Sequence, residues 1–171
     1  MLILITGDPG VGKTTVLINL INILKHRYRV GGVIAREIRS NNSRIGFEFI
    51  DIVSNERRVL ASIDGIGPMV GKYHVNLEGC KFAANILSKE YEIIICDELG
   101  PMEFKSREFK DVVRMLLYSN ADRIFSIHKR LKDPLIEEYR ERADMLIEVR
   151  LDNRDKVAEV IDKLIRKERG I

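Results

Sequence analysis

The chain has 171 residues, of which 45% are hydrophobic and 32% are charged, a composition typical of one globular domain with a well-solvated surface. Lys and Arg number 29 against 26 Asp and Glu, for a net charge of +3, and this balance gives little reason to expect a nucleic-acid partner. No apolar run approaches the ~20 residues that span a bilayer, which argues against a membrane protein.

The cysteines and the start of the chain predict a cytoplasmic protein. Cys80 and Cys96 form neither a CxxC pair nor a metal-ligand spacing, so reduced thiols are the expected state. The apolar start is interrupted at Gly7-Asp8-Pro9-Gly10, before it acquires the length and pattern of a signal peptide.

The first predicted elements form a βαβ unit. Leu2–Ile5 is a continuous apolar run, typical of a strand buried on both faces of a parallel sheet. Lys13–Arg27 carries apolar residues at helical spacing, and Val30–Ala35 is predicted to be the second strand. Such a unit is nearly always right-handed and places the turn between Ile5 and Lys13 at the carboxyl end of the sheet.

That turn matches the phosphate-binding P-loop (Walker A) pattern, G-x-x-x-x-G-K-[ST]. The matching residues are Gly7, Asp8, Pro9, Gly10, Val11, Gly12, Lys13 and Thr14. Glycines let the backbone approach phosphates closely, and the N–H groups then form an anion site reinforced by the following helix. Lys13 is predicted to contact the β- and γ-phosphates and Thr14 to bind Mg²⁺, with Thr15 a candidate for the α-phosphate. The sequence therefore predicts a site for a nucleoside triphosphate with Mg²⁺.

Residues 36–76 differ in character, because short alternating segments replace helices. Arg44–Ile52 and Arg57–Ile63 predict a β-hairpin, and a short strand is expected at Lys72–Val75. We interpret residues 36–76 as a β-rich insertion within a single P-loop domain that covers residues 1–171.

Helices and strands alternate again after residue 76. Helices are predicted at Leu77–Lys89, Arg107–Tyr118, Pro134–Arg142 and through Val157–Ile165, and strands at Ile93–Cys96, Arg123–Ile127 and Met145–Val149. The pattern predicts a three-layer α/β fold around one mostly parallel sheet.

Two acids follow the apolar strand Ile93–Cys96, as a Walker B segment would. A P-loop site needs an acid at the end of a neighbouring strand to complete the Mg²⁺ ligands, and Asp97 is predicted to fill this role. Glu98 is the candidate general base for an attacking water, which favours hydrolysis. Both residues could instead be capping or surface acids, and Cys96 is more typical of a buried strand residue than of a nucleophile.

Several charged residues are candidates for the γ-phosphate. Positive charge in the transition state could come from Arg36, Arg39, Arg44 or Arg107. His128 follows the strand expected beside the acid-bearing one, which makes it a candidate contact. A solvated surface position explains each of these residues equally well.

Other polar residues are candidates for binding a phosphate-accepting substrate or the base of the nucleotide. Glu37 stands where small P-loop kinases often hold the acceptor hydroxyl. Asn153 and Arg154 lie at a strand-to-helix turn, a usual height for base recognition in open α/β sheets, although Asn153 could equally be an N-cap.

Four sequence blocks occur in order between the P-loop and Asn153-Arg154-Asp155. They are Ile34–Arg39, Arg44–Phe47, Val70–Val75 and Asp97–Glu103. With them the chain resembles the small THEP-type nucleoside-triphosphatase family, which is related to a human cancer-related NTPase. The resemblance implies a RecA-like sheet and Mg²⁺-dependent hydrolysis of ATP, GTP, CTP and UTP with little base preference. The chain departs from the family at Pro101, where a charged or polar residue is common, whereas Glu103 is retained.

Two alternatives to a hydrolase stay open. A small-molecule or nucleic-acid-end kinase would suit the chain length, the early P-loop and Glu37, but no arginine-rich lid segment follows the acid pair. A nucleotide-driven switch would use hydrolysis to reset its conformation. The sequence does not define the oligomeric state or an arginine supplied by a second subunit.

Overall fold

The protein, described over residues 1–171 by a computed structural model, forms a nine-stranded sheet flanked by five α-helices. The elements are β1 (Leu2–Thr6), α1 (Lys13–Leu24), β2 (Val30–Ser40), β3 (Ser43–Asp51), β4 (Arg57–Ser62), β5 (Met69–Val70), β6 (Tyr73–Val75), α2 (Leu77–Leu87), β7 (Ile93–Leu99), α3 (Arg107–Leu116), β8 (Asp122–Ile127), α4 (Pro134–Arg142), β9 (Met145–Glu148) and α5 (Arg154–Glu168). A short 3-10 helix, Glu103–Lys105, precedes α3. The sheet order is β5-β6-β4-β3-β2-β7-β8-β1-β9.

One half of the sheet is parallel and carries the nucleotide fold. Strands β2, β7, β8, β1 and β9 pair in parallel, so their carboxyl ends meet at one edge. Strand β8 lies between β1, which leads into the P-loop, and β7, which ends in the acid pair. The predicted α/β fold class is confirmed, and ligands of such sheets bind at this edge.

The β-rich segment continues the same sheet as an antiparallel half. Strand β2 reaches Ser40, five residues beyond the predicted end at Ala35, because its second half pairs with β3 and no longer with β7. The predicted hairpin is present as β3 and β4, and β6 then adds to β4. Strand β5 was not predicted, since only two residues of it pair.

Alternating side chains divide the core between the two faces. Leu2 and Leu4 of β1 pack with residues of α2, α3 and α4, whereas Ile3 and Ile5 pack with residues of α1 and α5. Each fully buried aliphatic side chain contributes roughly 1.5–3 kcal/mol. The three layers follow from this period-two pattern. None of the five helices combines the length and the apolar character needed to cross a membrane.

Helix starts on the α2–α4 face are set by polar caps. The Asn76 side chain accepts hydrogen bonds from two backbone N–H groups of α2. The Ser106 hydroxyl accepts one from the N–H of the third residue of α3. The Asp133 carboxylate accepts one from a backbone N–H of α4, whose first residue is Pro134. Such caps satisfy N–H groups that have no partner within the helix.

Candidate active site

The P-loop has the conformation that its glycines predict. Gly12 has φ 114°, and a β-carbon at Gly7 would lie 2.7 Å from the carbonyl oxygen of Val149; either position therefore disfavours a side chain. Gly12 is also the N-cap of α1 and provides no side-chain cap. The first N–H groups of α1 remain available to an anion such as a phosphate.

Lys13 and Thr14 lie at the start of α1. The buried Lys13 ammonium donates to the carbonyl oxygens of Gly7 (2.9 Å) and Asp8 (3.3 Å), so its charge is held against the loop. The Thr14 hydroxyl donates to Oδ2 of Asp97 at 2.6 Å. Thr15 is exposed beside them.

Asp97 is buried at the carboxyl end of β7 and accepts hydrogen bonds from Thr14 and from a residue of the neighbouring strand β8. Ser126 Oγ of β8 donates to its Oδ1 at 2.7 Å, and the backbone N–H of Ala35 on β2 also faces this carboxylate. Burial raises the pKa of Asp97, and the hydrogen bonds from Thr14 and Ser126 oppose that shift. Ser126 was missed by sequence reasoning, although a lone hydroxyl in the apolar strand next to the acid-bearing one was a usable signal.

Glu98 is partly buried next to Asp97. Burial raises its pKa to about 7; the positive charge of Lys13 opposes the shift and the negative charge of Asp97 adds to it. A carboxyl with this pKa is matched to proton transfer near neutral pH.

Glu103 adds a third carboxyl that sequence reasoning left without a role. It is 5% exposed, and a β-carbon at Gly100 would lie 2.9 Å from its Oε2. Burial raises the pKa of Glu103 to about 8; backbone N–H groups of Glu103 and Gly100 oppose the shift, and the charges of Glu98 and Asp97 add to it. The carboxyl is therefore largely protonated at neutral pH.

His128 directly follows β8. Its backbone N–H donates to the carbonyl oxygen of Leu99 at 3.0 Å, and its Nδ1 accepts from the backbone N–H of Arg130 at 3.2 Å. Burial, followed by the positive charges of Lys13 and Arg130, lowers the pKa of His128. The structure thus brings His128 to the same edge as Lys13.

The candidate arginines are held in ion pairs with carboxylates of neighbouring residues and strands. Glu37 accepts from Arg39 (2.7 Å) and Arg44 (3.0 Å), and these hydrogen bonds lower its pKa, that from Arg44 most. Arg36 pairs with Glu48 at 2.6 Å. Arg107, at the start of α3, is 95% exposed. None of these guanidinium groups makes a hydrogen bond to the P-loop.

Asn153 and Arg154, the two candidates for base recognition, have different surroundings. The Asn153 amide donates to the Glu148 carbonyl (2.9 Å) and accepts from the Arg150 N–H (2.8 Å), so it stabilises its own turn, and it makes no side-chain cap to α5. Arg154 lies against the P-loop, with Nη1 3.4 Å from the carbonyl oxygen of Val11.

Thr14 and Asp97 fit a Mg²⁺ site. Their hydrogen-bonded oxygens are hard donors, and Mg²⁺ in phosphate-transfer sites is commonly held by one or two protein oxygens together with substrate phosphates and water. The protein has no cluster of three His, Cys, Asp or Glu side chains that could hold a metal ion.

Comparison with known proteins decides the family. The model of a family described as NTPase matches residues 2–162. The nucleoside-triphosphatase THEP1 of Methanopyrus kandleri is 39% identical over 165 residues, which covers 93% of this chain and 92% of that protein. The THEP1 of Archaeoglobus fulgidus is 34% identical over 165 residues, covering 96% and 99%. The chain belongs to the THEP1-type nucleoside-triphosphatase family.

Solved structures agree with this assignment. The crystal structure of THEP1 from the hyperthermophile Aquifex aeolicus superimposes with a TM-score of 0.86 at 34% identity, covering 96% of this chain and 98% of that one. The solution structure of a human cancer-related nucleoside triphosphatase gives a TM-score of 0.81 at 29% identity, covering 96% and 97%. The resemblance to the THEP1-type family and its enzyme class are confirmed at the level of the family.

Proposed function

We propose that residues 1–171 act as one domain that hydrolyses nucleoside 5′-triphosphates to the diphosphate and phosphate, with Mg²⁺. The observation that carries the proposal is the 2.6 Å hydrogen bond between Thr14 and Asp97. It joins the P-loop to the acid-bearing strand and places two Mg²⁺-type ligands together, with Glu98 as the next residue. Both cysteines are free thiols, which supports the expected cytoplasmic location.

The mechanism follows from the charges at this edge. The P-loop N–H groups and Lys13 hold the β- and γ-phosphates, and Thr14 and Asp97 would hold the metal. Bound Mg²⁺ would neutralise charge on the phosphate oxygens. Glu98 orients a water for in-line attack on the γ-phosphorus and accepts its proton, a role to which its raised pKa of about 7 is suited. The bond to the β–γ bridging oxygen breaks, which leaves the diphosphate and inorganic phosphate.

Low base specificity is supported by the turn before α5. The Asn153 amide is committed to Glu148 and Arg150, which leaves its hydrogen-bonding groups engaged within the turn. Arg154, exposed beside Gly12, presents a planar guanidinium that can stack on any base. We therefore expect ATP, GTP, CTP and UTP all to be substrates.

The position of Glu37 disfavours the kinase alternative. Its two carboxylate oxygens accept from Arg39 and Arg44, and these hydrogen bonds lower its pKa. An acceptor hydroxyl would have to displace an arginine before Glu37 could take its proton.

The test is phosphate release from the four nucleotides by the wild type and Glu98→Gln, with nucleotide binding measured in parallel. Glu98→Gln should bind normally and turn over at least ~10²-fold more slowly, because the amide cannot accept the proton. Removal of Mg²⁺ with a chelator should abolish turnover.

Glu159→Gln is the matched control, since Glu159 is exposed on α5 and forms no ion pair. Its turnover should equal that of the wild type. Unchanged turnover in Glu98→Gln would remove Glu98 from the mechanism, and binding by the wild type without any phosphate release would contradict hydrolysis itself.

A further inference from the structure

We propose that His128 is a further catalytic residue, a neutral imidazole whose Nε2–H donates to the γ-phosphate and so distinguishes a triphosphate from a diphosphate. The inference rests on the proposed function, because it names a second contact of the same nucleotide site.

Strand pairing fixes the backbone of His128 between the two halves of the site. Thr6, which precedes the P-loop, donates from Oγ1 to the carbonyl oxygen of Ile127 at 3.4 Å. On the other side, the His128 N–H donates to the carbonyl oxygen of Leu99 at 3.0 Å, one residue after Glu98. Hydrogen bonds therefore fix this end of β8 to β1, which leads into the P-loop, and to β7, which carries the acid pair.

The side chain has one fixed polar contact. Nδ1 accepts from the backbone N–H of Arg130 at 3.2 Å, so in the neutral ring the proton is on Nε2. Nε2 has no hydrogen-bond partner within the protein, and the ring is partly exposed. The neutral form is further favoured because burial and the charge of Lys13 lower the pKa of His128. The ring thus offers a donor that does not depend on acquiring a proton.

Of the two cations that directly follow His128, Lys129 is already engaged and Arg130 is exposed. Lys129 Nζ is paired with the carboxylates of Asp8 (3.2 Å) and Glu148 (2.9 Å). Of the donors that follow β8, His128 is the partly buried one with a free N–H. A triphosphate held by the P-loop would extend its γ-group towards the acid pair, and His128 follows the strand that lies between β1 and β7.

The γ-phosphate oxygens are already charged in the bound triphosphate, so loss of a donor to them should weaken triphosphate binding as well as slow turnover. Hydrogen bonds to charged groups are typically worth enough to change an equilibrium roughly 10- to 100-fold. The β-phosphate of a diphosphate lies deeper in the P-loop, and binding of a diphosphate should not depend on His128.

The experiment compares binding of ADP with binding of a non-hydrolysable β,γ-imido analogue of ATP, by calorimetry with Mg²⁺. The variants are His128→Ala, His128→Asn and His128→Gln. The Ala and Asn variants should bind the analogue roughly 10-fold or more weakly and ADP as the wild type does. The glutamine amide N–H reaches the position of Nε2–H, so His128→Gln should recover most of the difference. His26→Ala is the control, because His26 is exposed after α1.

Each outcome decides the proposal. Selective weakening of the analogue with recovery by glutamine supports it, and retained ADP binding shows that the variants are folded. Equal weakening for both nucleotides, or no change for either, overturns it. Because binding is measured without turnover, a wild type that binds both nucleotides but releases no phosphate contradicts the hydrolysis and leaves the test of His128 intact. A wild type that binds neither overturns both.

Discussion

Glu103→Gln tests whether a buried carboxyl is kept protonated beneath the acid pair. The side chain is 5% exposed, and its pKa is raised from 4.5 to about 8, chiefly by burial. Glutamine has nearly the same size and stays neutral at every pH. The substitution should therefore leave stability unchanged in acid and increase it progressively between pH 4.5 and about 8, where the unfolded wild-type chain gains stability by ionising Glu103 and the folded protein does not.

The magnitude follows from the displacement of the pKa. Folded Glu103 retains its proton over about 3.5 pH units in which the unfolded chain has lost it, and each unit corresponds to about 1.4 kcal/mol. The contribution is fully present below pH 4.5 and is lost as the pH rises through about 8. Ionisation of Glu103 should thus subtract roughly 5 kcal/mol from the free energy of unfolding over this interval, and Glu103→Gln should remove that part of the slope.

The assay is unfolding in guanidinium chloride from about pH 4.5 to about pH 9, without nucleotide and with a chelator. Circular dichroism is the appropriate signal, because the chain contains no tryptophan. Glu108→Gln, which changes an exposed carboxylate of α3 without an ion-pair partner, should follow the wild type. A Glu103→Gln protein with the wild-type pH slope, or with lower stability at about pH 9, would refute the reasoning, because the backbone N–H groups would then stabilise the ionised carboxylate.

Two further substitutions test the phosphate and metal ligands. Lys13→Ala should reduce nucleotide binding and should slow phosphate release at least ~10²-fold, because the P-loop loses a buried positive charge. The control Lys156→Ala, which removes an exposed lysine of α5, should change neither binding nor release. Ser126→Ala removes a 2.7 Å hydrogen bond to Asp97 and should raise the Mg²⁺ concentration needed for half-maximal phosphate release, with a loss of stability of about 1–3 kcal/mol. Ser88→Ala, at the exposed end of α2, is its control, and an unchanged Mg²⁺ requirement in Ser126→Ala would show that Asp97 is positioned without the serine.

The parallel half of the fold was predictable because its signals are local. Apolar runs such as Leu2–Ile5 and Ile93–Cys96 mark buried strands, and the P-loop pattern fixes the turn between β1 and α1. The extension of β2 to Ser40 was not predictable in the same way. Its charged second half pairs with β3 beyond the carboxyl edge of β7, and alternating charged residues resemble a loop when the pairing partner is unknown.

The residues around the acid pair show a similar division. Asp97 and Glu98 were predicted from their place at the end of a strand, but Ser126 and Glu103 were not given a role. The contact between Ser126 and Asp97 joins residues 29 positions apart, and it depends on which strand lies next to β7. The burial of Glu103 depends on the close approach of the Gly100 backbone to its carboxyl, which is a property of packing that neither residue's immediate sequence carries.

The place of β1 within the sheet also has a consequence for synthesis on the ribosome. This strand is made well before its two hydrogen-bonding partners, which are β8 and β9. Until residue 148 has left the exit tunnel, the apolar segment Leu2–Thr6 lacks the neighbours that cover both of its edges. Pairing of this kind is slow and exposes unpaired strand edges meanwhile. The nascent chain should therefore depend on chaperones or on rapid completion.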